Sequence, residues 1–372
     1  MTVQELKSAF TFEYNIEPDS IYFASGRINL IGECIARLDD SIFPTVLSYG
    51  IYLLLRKNND KCIKFWSLNE PEAINLEVNK LIQRPVNSWI KHPLNVFNQL
   101  INRGIELTYG YDMLFWGNIP TGVELSATEG LELITTFALR DQLNESNENK
   151  TSSNFIHNNK HYFSFINWDI IQLNPPIEIH ERITSEMIDV KIVISNTHTP
   201  HRFNTAPYYQ RISECKLVFE YLDKIKPLHD LDELSEDEFN SMVVTIDNPT
   251  AIKAVYHIIS EVHRTKKAAI ALKEGNLTLF GMLMNASHES LRENLEIVSP
   301  EVDYMVAQAW SIDGVIGSRM TGCGLGGCTI SLVKEEAIDI FIEKVGAAYE
   351  SQTGIKPEFY IAEIGDSACK LK

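Results

Sequence analysis

The sequence has few basic residues for its length, and this shortage excludes several classes of protein. It contains 33 lysines and arginines against 50 aspartates and glutamates, a formal net charge of −17 over 372 residues. A charge of this sign repels the phosphate backbone of nucleic acids and the headgroups of anionic lipids. We therefore expect neither nucleic acid nor a membrane as a partner, and we favour a small-molecule ligand.

Long apolar runs are also absent. No stretch approaches the ~18 uninterrupted apolar residues of a membrane-spanning helix, and the start, MTVQELKSAFTFEY, has no basic-then-apolar signal region. Together these two absences predict a cytoplasmic protein.

Cysteine is sparse and has no metal-binding spacing. The six cysteines form no CxxC pair; they are Cys34, Cys62, Cys215, Cys323, Cys328 and Cys369. Scattered single cysteines are typical of free thiols in a reducing compartment, and they argue against a zinc site.

The order of apolar patterns predicts an α+β protein. A chain of 372 residues exceeds the usual size of one core, so two lobes are expected. Strand-like runs dominate residues 20–118, whereas apolar residues at helical spacing dominate from residue 208 onwards. Helices are predicted at 88–102, 130–143, 208–222, 251–273, 277–290 and 299–309. Residues 144–160 are rich in asparagine and are interpreted as a flexible surface loop.

Glycine is concentrated in one place, residues 317–328 (GSRMTGCGLGGC), which we call the glycine-rich segment. Five glycines in twelve residues let another group approach the backbone closely. The segment precedes a strand-like TISLV, so we predict a turn that enters a β-strand. Backbone N–H groups and the fork of Arg319 would suit an anion or a polyol, although a purely structural turn is the alternative.

Several segments in a fixed order resemble the galactokinase branch of the GHMP sugar kinases. They are SGRINLIGE at 25–33, the ATP loop at 117–131, SNTH at 195–198, YYQRISEC at 208–215, ASHESLREN at 286–294 and the glycine-rich segment. The resemblance implies the two-lobed GHMP kinase fold, with an N-terminal lobe at 1–190, a C-terminal lobe at 191–372 and a cleft between them. It also implies ATP and Mg²⁺ as cofactors, and phosphorylation of a sugar on its anomeric hydroxyl.

The resemblance assigns a sugar site to Arg27, Glu33, Asp39 and Tyr208, with Arg27 as a cation near the transition state. A carboxylate such as Glu33 can accept hydrogen bonds from sugar hydroxyls. Where the family continues HTDYNDG, this chain has Cys34 and Ala36 in place of the histidine and the first aspartate. Losing each of these polar ligands is expected to weaken sugar binding by ~1–3 kcal/mol.

The ATP loop also departs from the family pattern PxGxGLSSSA. The positions that the resemblance assigns to ATP are Pro120, Gly122, Leu125, Ser126, Thr128, Gly322 and Gly324, with Ser126 or Thr128 as the Mg²⁺ ligand. Glu124 replaces a glycine of the loop, and Glu129 adds a second carboxylate at the start of the next helix. Negative charge there is expected to disfavour phosphate binding at a helix N-terminus, although an acid in the first turn also stabilises a helix.

No catalytic base is assigned by the resemblance. The family carries its catalytic aspartate in a GxMDQ segment between the ATP loop and SNTH, and this chain has no MDQ. Asp141 and Asp169 are candidates only for a rearranged site.

The substitutions in these motifs lead to three functional hypotheses. The first is a galactokinase-like pseudokinase, a sensor or regulator that keeps a partial cleft for a sugar or a nucleotide, with a protein partner if it regulates. The second is an active ATP-dependent sugar-1-kinase, converting galactose and ATP to galactose 1-phosphate and ADP, with altered substrate or a displaced base. The third is a scaffold partner of an active paralogue.

Overall fold

The computed structural model describes most of the chain. The described residues are 1–33, 43–71, 73–78, 81, 88–120, 127–146, 189–199, 206–226, 234–322, 324, 326–365 and 368–371. They form two β-sheets with helices packed on both faces, as the α+β prediction requires. None of the described helices is both long enough and apolar enough to cross a bilayer.

The first sheet contains six described strands in the order β10-β1-β2-β5-β3-β4. These are β1 (Ser20–Ile31), β2 (Phe43–Asn58), β3 (Cys62–Ser67), β4 (Ile74–Glu77), β5 (Gly110–Gly117) and β10 (Cys369–Leu371). All neighbours are antiparallel except β3 and β5, which are parallel. Buried and half-buried residues alternate along β3, the period that a strand with one apolar face requires.

Three helices cover this sheet. They are α1 (Val3–Tyr14), α2 (Lys91–Asn102) and α3 (Ala127–Ser146). Leu94 and Phe97 of α2 and Ile134 of α3 bury their side chains in one core cluster with strand residues. Leu6 and Phe10 of α1 belong to a second cluster with other strand residues, so apolar side chains cover both faces.

The second sheet has the order β7-β8-β6-β9 and is antiparallel throughout. Its strands are β6 (Val190–Asn196), β7 (Val315–Thr321), β8 (Cys328–Lys334) and β9 (Glu358–Ala362). The remaining described α-helices are α4 (Ala206–Ile225), α5 (Glu236–Met242), α6 (Pro249–Lys273), α7 (Leu277–Ser290), α8 (Pro300–Trp310) and α9 (Ile338–Thr353).

One apolar cluster joins the two sheets. Ile28, Leu30 and Phe43 from the first sheet are buried in the same cluster as Ile330 of the second sheet and Phe280 of α7. The rings of Phe43 and Phe280 meet edge to face, with centroids 5.8 Å apart. The end of β1 is therefore packed directly against the second half of the chain.

The six predicted helices are all confirmed, with ends that differ by a few residues. Of residues 144–160, 144–146 belong to α3 and the rest lie outside the described residues. The turn predicted for the glycine-rich segment is wrong in its first half, because residues 317–321 belong to β7 and pair with β8. The division into lobes at residue 190 stays a prediction.

The contact between α7 and β7 requires two glycines. A Cβ added to Gly281 would lie 1.8 Å from the carbonyl oxygen of Ile316, and one added to Gly317 would lie 2.7 Å from the carbonyl oxygen of Gly281. Such distances are far inside van der Waals contact, so an added methyl group must push the helix away from the strand.

Gly281→Ala is therefore expected to lower the free energy of unfolding by about 1–3 kcal/mol, because the core would be overpacked at a backbone contact. Urea denaturation measures this loss. Met282→Ala is a control on the same helix, since Met282 is 63% exposed, and it should change stability by less than about 0.5 kcal/mol. Equal stability of Gly281→Ala and the parent would contradict the close contact.

Candidate functional site

The end of β1 brings Glu33 into the interior. Strand β1 ends at Ile31, and Gly32 follows with φ of 93°, a conformation that favours glycine. After this bend the Glu33 side chain is buried, with 8% of the residue exposed. A charged residue at this depth needs partners that compensate for lost hydration.

The partners of Glu33 come from the glycine-rich segment. One carboxylate oxygen accepts a hydrogen bond from Nη2 of Arg319, and the other accepts one from the backbone N–H of Gly322, with N···O of 3.3 Å. Burial raises the pKa of Glu33, although the guanidinium of Arg319 and the N–H of Gly322 oppose that effect. Glu33 therefore joins the SGRINLIGE segment, residues 25–33, to the glycine turn after β7.

Arg319 does not present its fork to the cleft, and this corrects one expectation from the sequence. Its side chain is fully buried. Besides the ion pair with Glu33, its Nη1 donates to the carbonyl oxygen of Asn29 over 2.8 Å. Arg319 is thus an internal cation that fixes Glu33 and β1, because its position within β7 turns it towards the core.

Arg27 interacts electrostatically with two carboxylates. It is half-buried in β1, and burial lowers the pKa of its guanidinium, whereas the charges of Glu129 and Glu33 oppose this effect. Glu129 is exposed in the first turn of α3. The additional acid of the ATP loop therefore acts electrostatically on the arginine assigned to the sugar site, and it is not an isolated negative charge.

Only some of the other positions assigned to the sugar, ATP and Mg²⁺ lie within the described residues. Thr128 is exposed at the start of α3, and Pro120 is half-buried before the loop. Gly322 and Gly324 have φ of 86° and 78°, and a Cβ on Gly324 would lie 2.4 Å from the carbonyl oxygen of Ile297. Five assigned or noted positions lie outside the described residues: Asp39, Gly122, Glu124, Leu125 and Ser126. Tyr208 belongs to α4, and its assignment stays a prediction.

Asp141 does not belong to this site. Its carboxylate accepts a hydrogen bond from the hydroxyl of Tyr22 over 2.7 Å and pairs with Nζ of Lys370 over 2.8 Å. It lies thirteen residues along α3 from Thr128, which corresponds to about 20 Å of helix. Asp141 is therefore excluded as a base near the end of β1. Asp169 lies outside the described residues.

Neither a thiol cluster nor a metal cluster is found where the chain is described. Cys62, Cys215, Cys328 and Cys369 are free thiols, whereas Cys34 and Cys323 lie outside the described part of the chain. The described histidines, cysteines and acids form no group of three or more with metal-binding geometry. A hard cation here would need hydroxyl or carboxylate oxygens, and the hydroxyl of Thr128 is a described donor of that kind.

Comparison with known families gives two matches. Residues 8–57 match the family model described as the galactokinase galactose-binding signature, and residues 268–351 match the model described as GHMP kinases C terminal. The first match contains Arg27 and Glu33, and the second contains Arg319, Gly322 and Gly324. Both segments that meet at Glu33 therefore lie within matched regions.

Full-length relatives give the same result. The chain is 36% identical to a galactokinase of Clostridium beijerinckii, with 99% of each chain covered, and 32% identical to the galactokinase of Bacillus subtilis with the same coverage. The crystal structure of Lactococcus lactis galactokinase complexed with galactose covers 100% of both chains, with a TM-score of 0.83 and 30% identity. A mevalonate kinase from Methanococcus jannaschii, 15% identical with a TM-score of 0.61, shares the fold. The chain therefore belongs to the galactokinases of the GHMP kinase family.

Proposed function

We propose that the protein is an active galactokinase, which transfers the γ-phosphoryl group of ATP to the anomeric hydroxyl of galactose. The observation that carries this proposal is the hydrogen bond from Gly322 to Glu33, where the end of β1 meets the glycine-rich segment, at a site where Glu33 also interacts electrostatically with Arg27. Its support from relatives is that proteins of this length and similarity are galactokinases, one of which was crystallised with galactose.

Each described residue of the site has a chemical role in this proposal. The carboxylate of Glu33 has four lone-pair positions, so it can accept a sugar hydroxyl in addition to Arg319 and Gly322. The guanidinium of Arg27 supplies positive charge where negative charge develops during phosphoryl transfer. The glycine turn gives backbone N–H groups room to approach phosphate oxygens.

The cofactors fit the described end of the ATP loop. The N-terminus of α3 provides backbone N–H groups and a positive helix end for the phosphates of ATP, and the hydroxyl of Thr128 is an oxygen ligand of the kind Mg²⁺ accepts. Bound Mg²⁺ neutralises phosphate charge. Arg27 offsets the charge of Glu129, so this acid repels phosphate less than the sequence alone suggests.

Sugar binding without turnover is the second candidate. It is favoured by the missing MDQ segment and by Glu124 in the ATP loop. The relatives favour the active enzyme, since the pseudokinase hypothesis predicts loss of an activity for which those proteins are named.

Turnover tests the proposal directly. Purified protein with galactose, ATP and Mg²⁺ is expected to release ADP and form galactose 1-phosphate, measured by a coupled assay and by phosphorus NMR. Arg27→Met should lower kcat by at least about 100-fold, because a charge that stabilises the transition state is lost. Arg56→Met is the matched control. Arg56 forms an ion pair with Asp112 in the first sheet, and it lies ten residues along β2 from Val46, the residue opposite Arg27. The kcat of this variant should therefore stay within about twofold of the parent.

Two results would contradict the proposal that the protein is an active galactokinase. If galactose raises the thermal midpoint in a concentration-dependent way but no ADP forms, the protein binds sugar without turnover. If neither galactose nor ATP changes the midpoint and no ADP forms, the described site is not a sugar kinase site.

A further inference from the structure

A second buried carboxylate contacts the backbone next to Glu33. Glu261 of α6 is fully buried. Its Oε1 accepts hydrogen bonds from the backbone N–H of Gly32 over 3.0 Å and from the hydroxyl of Ser287 over 2.6 Å, and its Oε2 pairs with Nε of Arg264 over 2.7 Å. The donors thus come from the end of β1, from α7 and from α6 itself.

Glu261 is a permanent charge. Burial alone would raise its pKa, but the cations Arg264 and Arg319, His257 and the hydroxyl of Ser287 together lower the pKa to about 2. The carboxylate is therefore ionised at any pH at which an enzyme of this kind would work. Its hydrogen bonds are charge-assisted, and such bonds are shorter and stronger than neutral ones.

Helix α6 binds the backbone both before and after the Gly32–Glu33 peptide bond. Glu261 accepts from the N–H of Gly32, which precedes Glu33. One helical turn earlier, Nε2 of His257 lies 3.3 Å from the carbonyl oxygen of Glu33, and its Nδ1 lies 2.9 Å from the hydroxyl of Ser290. A carbonyl can only accept, so Nε2 carries the proton and Nδ1 accepts from Ser290.

We propose that Glu261 is a positioning residue for the sugar, acting through the backbone of Gly32 next to Glu33; this inference rests on the proposed galactokinase function. Glu261 and His257 fix the backbone of Glu33, and Arg319 and Gly322 fix its carboxylate. Buried ion pairs contribute little to stability compared with apolar packing. Their contribution at this position is to hold the carboxylate of Glu33 at a fixed angle and distance from the sugar hydroxyl that it binds, so their loss is expected to weaken sugar binding.

Glu261→Gln tests this role because it keeps the size of the side chain and removes its charge. The matched control is Asp112→Asn in the first sheet. Asp112 is also a buried carboxylate, 2% exposed, with Arg56, Lys64 and Asn58 as partners. Its neighbour Arg56 lies ten residues along β2 from Val46, which pairs with Arg27, a distance of roughly 33 Å along a strand.

Two measurements are made on the parent and both variants. Steady-state kinetics are expected to show KM for galactose raised about tenfold or more in Glu261→Gln, with kcat and KM for ATP within about threefold. Hydrogen exchange should be at least about tenfold faster in peptides covering residues 27–33 and 317–322. Asp112→Asn should lower the melting temperature but leave KM for galactose and the exchange of these peptides unchanged.

The proposed function and the positioning role fail in different ways. If the parent turns over and Glu261→Gln shows parental KM for galactose, or if Asp112→Asn raises that KM equally, the positioning role is overturned while the proposed function stands. If the parent shows no turnover, the proposed function fails, and hydrogen exchange alone decides the positioning role. Unchanged protection of residues 27–33 in Glu261→Gln would then overturn it.

Discussion

Replacing Arg319 with methionine is expected to lower the free energy of unfolding by about 3–5 kcal/mol, because it leaves the buried carboxylate of Glu33 without its cation. Methionine keeps most of the apolar volume, so the effect reports the lost charge and hydrogen bonds. The carbonyl oxygen of Asn29 also loses its donor, Nη1 of Arg319. Urea denaturation followed by circular dichroism measures the loss.

A double-mutant cycle separates the charge from the packing. Glu33→Gln combined with Arg319→Met should be more stable than Arg319→Met alone, since no uncompensated charge remains. The coupling free energy between the two positions should exceed about 1 kcal/mol. Strict additivity of the two single substitutions would mean that the ion pair does not hold the end of β1 to β7.

Acidification is expected to destabilise the protein strongly between pH 6.5 and about 4. Burial lowers the pKa of His257 and that of His288, each to about 4. In this window the unfolded chain binds a proton at each histidine and the folded chain does not, so stability falls as the pH falls. Each histidine is expected to contribute on the order of 3 kcal/mol to the fall across the window.

The surroundings of each histidine explain why the neutral form is retained. At His257, burial and the cations Arg264 and Arg319 oppose protonation and lower the pKa, whereas Glu261 and the hydrogen bond from Nε2 to the carbonyl oxygen of Glu33 favour it. At His288, Nδ1 accepts from the N–H of Met320 over 3.2 Å, so Nε2 carries the proton towards Asp303. A second proton would break the bond to Met320.

His257→Gln provides the control for this pH dependence. The variant should lose about 1.4 kcal/mol per pH unit less than the parent between pH 6.5 and 4, since one proton-binding group has been removed. Urea midpoints at five pH values measure the two slopes, and contributions of Glu33 and other acids cancel in the difference. Identical slopes would show that His257 is protonated in the folded state at these pH values.

Much of the fold could be predicted from the sequence because its helices have regular apolar spacing. The helix α7 was predicted with the correct ends, and α6 within two residues. Motif order also predicted the family. Conversely, α9 and the short β10 are not predicted. For β10 the reason is its length, because the three residues Cys369–Leu371 carry no pattern of their own and form a strand only by pairing with β1.

The site is predicted less completely, because the sequence of β7 does not show on which side of the strand Arg319 lies. Most of β7 is buried, so its sequence has no alternation that would assign the arginine to the core or to the cleft. The predicted anion fork and the observed partner of Glu33 are equally compatible with that pattern. Glu261 and His257 have no distinguishing pattern in the sequence, since their partners just after β1, Gly32 and Glu33, are more than 200 positions away in the chain.

The pairing of β10 with β1 has a consequence for synthesis of the chain. Ile21 pairs with Leu371, about 350 residues later, and β10 is the outermost strand of the first sheet. Until Leu371 has left the ribosome, the backbone of Ile21–Phe23 in β1 lacks its β10 partners and can pair with other chains. At 5–20 residues per second this interval lasts about 20–70 s. During synthesis this segment of β1 is therefore exposed as a strand edge, whereas in the finished molecule it is covered by β10, and chaperones that shield strand edges should bind the nascent chain during that time.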